Sequence, residues 1–287
     1  MATETLTEEG TSKFVQAGGI KLHYNEASPR AGRGVGSGDA VIMLHGGGPG
    51  ASGWSNFSTN VGAFSEKYRT LLLDLPQYGK SDPVVIDGDA TLYNARAIKA
   101  MFDELGIEKA HFIGNSFGGA TSLRFAIDYP ERVGKLVVMG PAGSGPSYFM
   151  PRPLEGIKAL NAWWDNPSRA QMKKIVNLFV YDAKFKTDEL IDMRHQAGLS
   201  HPEHIEARAR STNRFTPDFT PELASIQAKT LIVWGRDDRF SPLDFGLNML
   251  WRIPDAQFHI FPECGHWVQY EKSDEFNRLI IDFFEGD

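Results

Sequence analysis

An α/β fold, with a mostly parallel central sheet and helices on both faces, is predicted by three observations. Short continuous apolar runs recur along the chain, as expected of strands buried on both sides. Segments with helical spacing alternate with these runs. Gly114-Asn115-Ser116-Phe117-Gly118 joins one such run to one such helix through a sharp turn.

The elements follow in order. Residues 1–12 read as a loose arm. Phe14 to Tyr24 alternates as a hairpin does, with Gly18-Gly19 at its turn. Residues 31–39 are glycine-rich and read as a surface loop. Val41 to Leu44 and Thr70 to Asp74 are apolar runs of strand length. Leu92 to Leu105 has helical spacing. Strand, helix and strand then follow at Ala110 to Ile113, Ala120 to Ile127 and Lys135 to Met139. Thr230 to Trp234 and Phe258 to Phe261 are two further strands, and Phe276 to Phe284 closes the chain as an amphipathic helix. Residues 147–212 break this rhythm. Trp163-Trp164, Met172 to Tyr181 and Glu189 to His195 carry helical spacing there, with no buried strand. The expected division is a core of residues 1–146 and 213–287 with a helical insertion, 147–212. An insertion at that point sits above the carboxyl ends of the strands, where open α/β sheets bind ligands, and is a candidate lid.

Composition narrows the function. The chain has 287 residues, 41% hydrophobic and 23% charged, which suits one large globular unit. A net charge of -6 gives no basic footprint for nucleic acid or for an anionic membrane. Met1 to Gly10 lacks the basic start and apolar stretch of a signal peptide, and no apolar run is long enough to span a bilayer. The single cysteine, Cys264, excludes an internal disulfide and fits a cytoplasmic setting.

The chemistry starts at Ser116. In a G-x-S-x-G turn the glycines avoid clashes, and the serine oxygen stands above the sheet at a helix N-terminus that favours developing negative charge. A serine needs a base, and the base needs an orienting carboxylate. His266, in Cys264-Gly265-His266-Trp267, follows the last apolar strand. Asp237 and Asp238 follow the strand that ends at Trp234. Both positions fall at the same sheet edge as Ser116, in the chain order serine, aspartate, histidine. Asp238 is favoured as the acid and Asp237 is the alternative. His45-Gly46-Gly47-Gly48-Pro49-Gly50 follows the first buried strand, where its glycines let backbone amides approach a ligand, and the Phe117 amide is the second oxyanion donor.

Two motifs do not fit their usual roles. Gly34 to Gly38 precedes a strand, whereas a dinucleotide loop follows one. Gly79-Lys80-Ser81 ends like a phosphate loop, yet Asp74 stands where that loop needs its first glycine. His195, His201 and His204 find no cysteine or clustered carboxylate to complete a metal set, so no metal is expected.

Taken together, His45 to Gly50, Gly114 to Gly119, Met139-Gly140-Pro141, Trp234 to Arg239 and Cys264 to Trp267 resemble the meta-cleavage-product hydrolases. These are α/β-hydrolases that cut carbon–carbon bonds in bacterial aromatic degradation. The similarity runs from about Thr11 to Phe284 and is strongest to the members of biphenyl degradation that act on 2-hydroxy-6-oxo-6-phenylhexa-2,4-dienoate. The resemblance implies an α/β-hydrolase fold, a triad of Ser116, Asp238 and His266, and an oxyanion hole of the Gly47 and Phe117 amides. It implies that Arg194 binds the substrate carboxylate, that Asn56, Asn115 and Trp267 line the dienoate site with Gly48 adjoining it, and that Phe179 is an aromatic residue on the lid side. It also implies a homodimer or homotetramer. Phe117 departs from the pattern, since the biphenyl-pathway relatives have methionine or leucine there.

These roles make physical sense. A guanidinium pairs bidentately with a carboxylate. Carbon is a poor leaving group unless its electrons are delocalised, and ketonisation of the dienol provides that sink. His266 is the natural proton carrier. Protein groups fill every role, so no cofactor is expected. The expected partner is a small-molecule dienoate with an aryl group on C6. The alternatives are a carboxylesterase on the same scaffold or a hydrolase-fold receptor. Dehalogenases and epoxide hydrolases place an aspartate at the elbow, which Ser116 is not.

Overall fold

A computed structural model describes residues 6–29, 40–149, 153–212 and 218–286. Residues 31–39, read as a surface loop, and the glycines at 34–38 lie outside the described residues, as does the start of the N-terminal arm.

Eight strands form one sheet: β1 (Ser12–Ala17), β2 (Ile20–Ala27), β3 (Ala40–Leu44), β4 (Arg69–Leu73), β5 (Ala110–Asn115), β6 (Val133–Met139), β7 (Lys229–Gly235) and β8 (Ala256–Phe261). Their spatial order is β1-β2-β4-β3-β5-β6-β7-β8. β2 is antiparallel to both β1 and β4, and every other pairing is parallel. The hairpin turn has positive φ at both Gly18 (59°) and Gly19 (82°), a geometry that glycine adopts without strain.

The apolar strands are buried because successive side chains enter two different cores. Ile42, Leu44, Leu71, Leu73, Phe112, Leu136 and Ile232 face one side. There they meet the helices Ala90–Glu104, Phe117–Asp128 and Leu243–Arg252. Val41, Met43, Leu72, Ile113, Val137 and Val233 face the other side, against Phe57, Phe64 and the helix Ser273–Glu285. The mostly parallel doubly covered sheet is therefore the one expected; β3 to β8 lie within two residues of their apolar runs, and β2 runs three residues past the expected hairpin, to Ala27.

Several elements differ from expectation. The arm is not loose throughout, since Glu8–Thr11 forms one helical turn and Ser12 already belongs to β1. The buried Asn25 amide is the reason. It donates to the Glu8 carbonyl (2.7 Å) and the Thr11 hydroxyl (2.9 Å), which fastens the turn to β2. Further helices gave no clear signal: Gly53–Phe57, Val61–Ser65, Pro202–Arg210, Leu243–Arg252 and Val268–Glu271. The first two are about one turn long, too short for periodicity to show. The helix expected over 172–181 ends at Phe179, because the next residues turn to meet Glu271.

Among the described residues, four α-helices lie between β6 and β7: Glu155–Asp165, Arg169–Phe179, Asp188–Leu199 and Pro202–Arg210. Trp163, Met172, Ile175, Val176, Phe179 and Ile191 form a separate apolar cluster with Phe240 and Trp267, which come from the loops after β7 and β8. Glu271 fastens these helices to the last loop. One carboxylate oxygen accepts from the Gly265 amide (2.7 Å). The other accepts from the amides of Tyr181 (2.7 Å) and Asp182 (3.0 Å). Glu271→Ala strands three amides, and the expected loss is about 3 kcal/mol of stability. Urea unfolding checks this, and a loss below roughly 0.5 kcal/mol contradicts the role.

Candidate active site

His45, Ser116, Gly140, Asp238 and His266 all follow the carboxyl ends of parallel strands, so five separate stretches of sequence converge on one sheet edge. Ser116 sits at φ 52° and ψ -112°, an unfavourable backbone for a residue with a Cβ. The turn is held by the Ser116 amide, which donates to the Met139 carbonyl at 2.7 Å. The flanking glycines are sterically required. A Cβ on Gly114 would lie 2.5 Å from the Gly118 carbonyl oxygen, and one on Gly118 would lie 2.2 Å from that of Leu44.

His266 is buried, with its Nδ1 2.7 Å from Asp238 Oδ2. The other Asp238 oxygen accepts from the amides of Phe240 (2.7 Å) and Ser241 (3.1 Å). Asp237 instead pairs with Arg236 at 3.2 Å, so of the two aspartates only Asp238 contacts the imidazole. Stacked rings of Phe240 and Phe179, with centroids 5.0 and 5.7 Å away, hold the imidazole in place. Two backbone contacts fix its loop. The His266 amide donates to the Phe179 carbonyl (2.7 Å), and the Asn115 side chain donates to the His266 carbonyl (3.3 Å). Ser116 and His266 line the same cavity of about 950 Å³. No hydrogen bond joins the Ser116 hydroxyl to His266 Nε2 among the described residues, and neither atom has another partner there. Such contacts commonly tighten only when substrate arrives.

The loop after β3 faces the elbow. A Cβ on Gly47 would sit 3.2 Å from that of Phe117, so these backbones are in direct apposition. None of the described hydrogen bonds uses the Gly47 or Phe117 amide, which leaves both for an oxyanion. Tyr78, which the sequence did not single out, donates its hydroxyl to the Gly47 carbonyl at 3.1 Å. His45, seen there only as part of a motif, steadies the loop from below. Its Nδ1 donates to the Gly46 carbonyl (2.8 Å), and its Nε2 accepts from the Leu75 amide (3.0 Å). Burial is the chief cause that pushes the His45 pKa down to about 4, so the ring is neutral.

Arg194 is 2% exposed and lies on the cavity wall. It donates to the Ser55 hydroxyl at 2.8 Å, and its guanidinium carbon is 5.1 Å from the Trp267 ring centroid. No carboxylate pairs with it among the described residues. Burial lowers its pKa to about 10, which still leaves it charged at neutral pH. Phe179 is sandwiched between Phe240 and Trp267, at 4.1 and 4.2 Å between centroids. A side chain at Gly48 would be tight, because its Cβ would come within 3.2 Å of the Phe179 ring. Asn56 donates to Asn115 Oδ1 at 3.4 Å, and both line the cavity. Asn115 is largely occupied in holding the His266 carbonyl. Ser55 was missed because nothing local marks it as the partner of an arginine far along the chain.

Away from this cavity, His201, Glu203 and His204 place potential ligand atoms within 4.8 Å of one another. Glu203 is thus a carboxylate that the sequence reading did not count, although it already pairs with His201 Nδ1 (2.9 Å). Cys264 is buried and its thiol is pushed well above the ordinary range, so it is no nucleophile.

A strained serine elbow, an Asp–His pair and a glycine loop over a parallel sheet define a hydrolase scaffold of the α/β type. The profile of the α/β hydrolase family matches residues 41–279. A 2-hydroxy-6-oxo-6-phenylhexa-2,4-dienoate hydrolase of Comamonas testosteroni is 50% identical, across 97% of this chain and 98% of that one. A 2-hydroxy-6-oxononadienedioate/2-hydroxy-6-oxononatrienedioate hydrolase of the same organism is 48% identical over 97% of this chain and 98% of its own. A meta-cleavage product hydrolase from Pseudomonas fluorescens IP01 superposes with a TM-score of 0.81 at 32% identity, covering 95% of this chain and 97% of its own. The chain belongs to the α/β hydrolase family and, within it, to the meta-cleavage-product hydrolases, which hydrolyse carbon–carbon bonds.

Two outcomes follow from this geometry. Asp238→Asn, which upsets the His266 tautomer, is expected to lower kcat about 10⁴-fold. Asp237→Asn is expected to change it less than about threefold, and equal losses in the two variants contradict the assignment. The second outcome concerns pH. His45 has a lowered folded-state pKa, so the unfolded chain takes the proton first. Stability is fully present above about pH 6.5 and falls as pH drops toward about 4, by roughly 3 kcal/mol in all. His45→Gln removes that component. The difference in unfolding free energy between pH 7 and pH 4.5 is expected to shrink in the variant, and an unchanged difference contradicts the neutral assignment.

Proposed function

We propose that the protein hydrolyses the C5–C6 bond of 2-hydroxy-6-oxohexa-2,4-dienoates bearing an aryl group on C6, in aromatic catabolism such as biphenyl degradation. The products are 2-hydroxypenta-2,4-dienoate and an aryl carboxylate such as benzoate. The observation that carries this reading is Arg194, a buried guanidinium on the wall of the cavity that holds Ser116, with no acidic partner among the described residues. A buried unpaired charge is costly, and a substrate carboxylate relieves the cost. A plain ester offers no such group.

The substrate carboxylate rests on Arg194, beside Trp267, Asn56 and Gly48. His266 takes the enol proton from the 2-hydroxyl and delivers it to C5, which gives the keto form. Ser116, or a water that it and His266 activate, then adds to C6 and gives its proton to His266. The Gly47 and Phe117 amides receive the oxyanion, a contact of roughly 3 kcal/mol per donor. When the C5–C6 bond breaks, its electrons spread through the dienolate to the C2 oxygen, and His266 returns a proton. Asp238 keeps the imidazole oriented throughout. Water completes the acyl product. No cofactor has a step to perform.

Residues 147–212 act as the lid in this reading, and residues 1–146 with 213–287 form the core. Support comes from Phe179 and Arg194, both on these helices and both in the cavity wall. Among the described residues no helix is long and apolar enough to cross a membrane, consistent with a cytoplasmic enzyme. Assembly into a homodimer or homotetramer is supported by Leu247, Leu250 and Trp251 (86% exposed), beside the edge strand β8 with its exposed Ile260.

Arg194→Ala tests the reading against a carboxylesterase. The ratio of dienoate to ester kcat/KM is expected to fall about 100-fold, the worth of a strong charge-assisted pair. An unchanged ratio favours the esterase. Repeated turnover, followed as loss of the dienoate's visible colour, separates an enzyme from a receptor. Trp251→Asp is expected to lower the mass seen by light scattering, and an unchanged mass removes this surface from the assembly.

A further inference from the structure

We infer that Arg208 is a second anion-binding group of the same cavity and that it lets the cavity take, besides aryl dienoates, substrates whose acyl half ends in a carboxylate. This rests on the carbon–carbon hydrolase reading above.

Arg208 lies on the helix Pro202–Arg210 and lines the cavity with Ser116 and Arg194. Its guanidinium carbon sits 4.6 Å from the Trp164 ring centroid. One terminal nitrogen, Nη1, donates to the Tyr78 hydroxyl at 3.3 Å. Its Nε is buried and has no hydrogen-bond partner among the described residues. No carboxylate pairs with Arg208 among the described residues, whereas Arg69, Arg124, Arg132 and Arg169 each hold at least one. Asp165 and Asp218 also line the cavity, but they are exposed and neither reaches ion-pair distance of it. A buried guanidinium N–H without an acceptor is uncommon and costly.

The two cavity arginines neighbour successive residues of the glycine loop, Arg194 directly and Arg208 through Tyr78. A Cβ on Gly48 would touch Phe179 and come within 3.6 Å of Arg194. Gly47 instead adjoins Phe117 and Tyr78, and Tyr78 carries Arg208. With the dienoate carboxylate on Arg194 and C6 at Ser116, the wall of Tyr78, Trp164 and Arg208 is left for the acyl group. A cavity of about 950 Å³ has room for an acyl group larger than benzoyl. An apolar acyl group offers the guanidinium no charge partner, whereas a distal carboxylate pairs with it. For a carboxyethyl group on C6, water supplies the hydroxyl to the acyl carbon and a proton to C5. The C5–C6 bond breaks to give succinate and 2-hydroxypenta-2,4-dienoate.

The test compares 2-hydroxy-6-oxonona-2,4-dienedioate with 2-hydroxy-6-oxo-6-phenylhexa-2,4-dienoate for the wild type, Arg208→Leu and Arg208→Lys. The ratio of kcat/KM for the diacid over the phenyl substrate is expected to fall at least tenfold in Arg208→Leu, mainly through KM. Arg208→Lys is expected to recover part of the ratio, which a merely structural role would not produce. Succinate is expected to inhibit Arg208→Leu at least tenfold more weakly than the wild type. An unchanged ratio, equal loss on both substrates, or no advantage of lysine over leucine overturns the inference while leaving the hydrolase reading intact. Failure of the wild type to turn over either dienoate overturns both. If Arg208→Leu fails to fold, Arg208→Lys and succinate inhibition of the wild type decide the matter, and absence of inhibition counts against it.

Discussion

The position of His266 is the constraint on which the rest depends. A histidine on the loop after β8 serves a serine after β5 only if that loop is pinned from several sides at once. Asp238 holds the ring, the Phe179 carbonyl holds the amide, and Asn115, next to the serine itself, holds the carbonyl. The helices between β6 and β7 therefore do more than cover the cavity. The end of one of them is a hydrogen-bond acceptor for the amide of His266. Glu271 strengthens the same junction by gathering amides from both sides.

Electrostatics divides the site into a neutral floor and a charged wall. Under the glycine loop, burial keeps His45 uncharged, so both its nitrogens have fixed hydrogen-bond roles and the loop geometry is set. On the wall, burial weakens the hold of Arg194 on its proton but leaves the charge in place, with no acid paired to it among the described residues. A structure that places cations where water is scarce and withholds counter-ions is prepared for anionic ligands. The Phe240–Phe179–Trp267 stack excludes water around the imidazole, which strengthens each polar contact there.

Much of this was legible in the sequence because it is local. The strands buried on both faces show as unbroken apolar runs, and the elbow shows as a glycine-flanked serine between a strand and a helix. The serine, aspartate and histidine could be placed on one edge because each directly follows such a run. The sequence favoured Asp238 with Asp237 as the alternative, and coordinates add that the Asp238 side chain is the one that meets His266. The one-turn helices at 53–57 and 61–65 gave no periodic signal. Ser55, Tyr78 and Glu271 were invisible for a different reason. Their partners, Arg194, Gly47 and the amides at 181, 182 and 265, lie far along the chain or in backbone whose course no pattern reveals. Asn115 was read as a cavity residue through family likeness, and its grip on the His266 carbonyl emerged only in three dimensions.

The most direct measurement is a crystal structure of Ser116→Ala with the phenyl dienoate bound. The account predicts the C1 carboxylate on the Arg194 guanidinium and the C6 carbonyl oxygen within 2.7–3.1 Å, roughly, of the Gly47 and Phe117 amides, with His266 Nε2 beside the reacting carbons. A dienoate bound with its carboxylate away from Arg194, or with C6 out of reach of both amides, would contradict it.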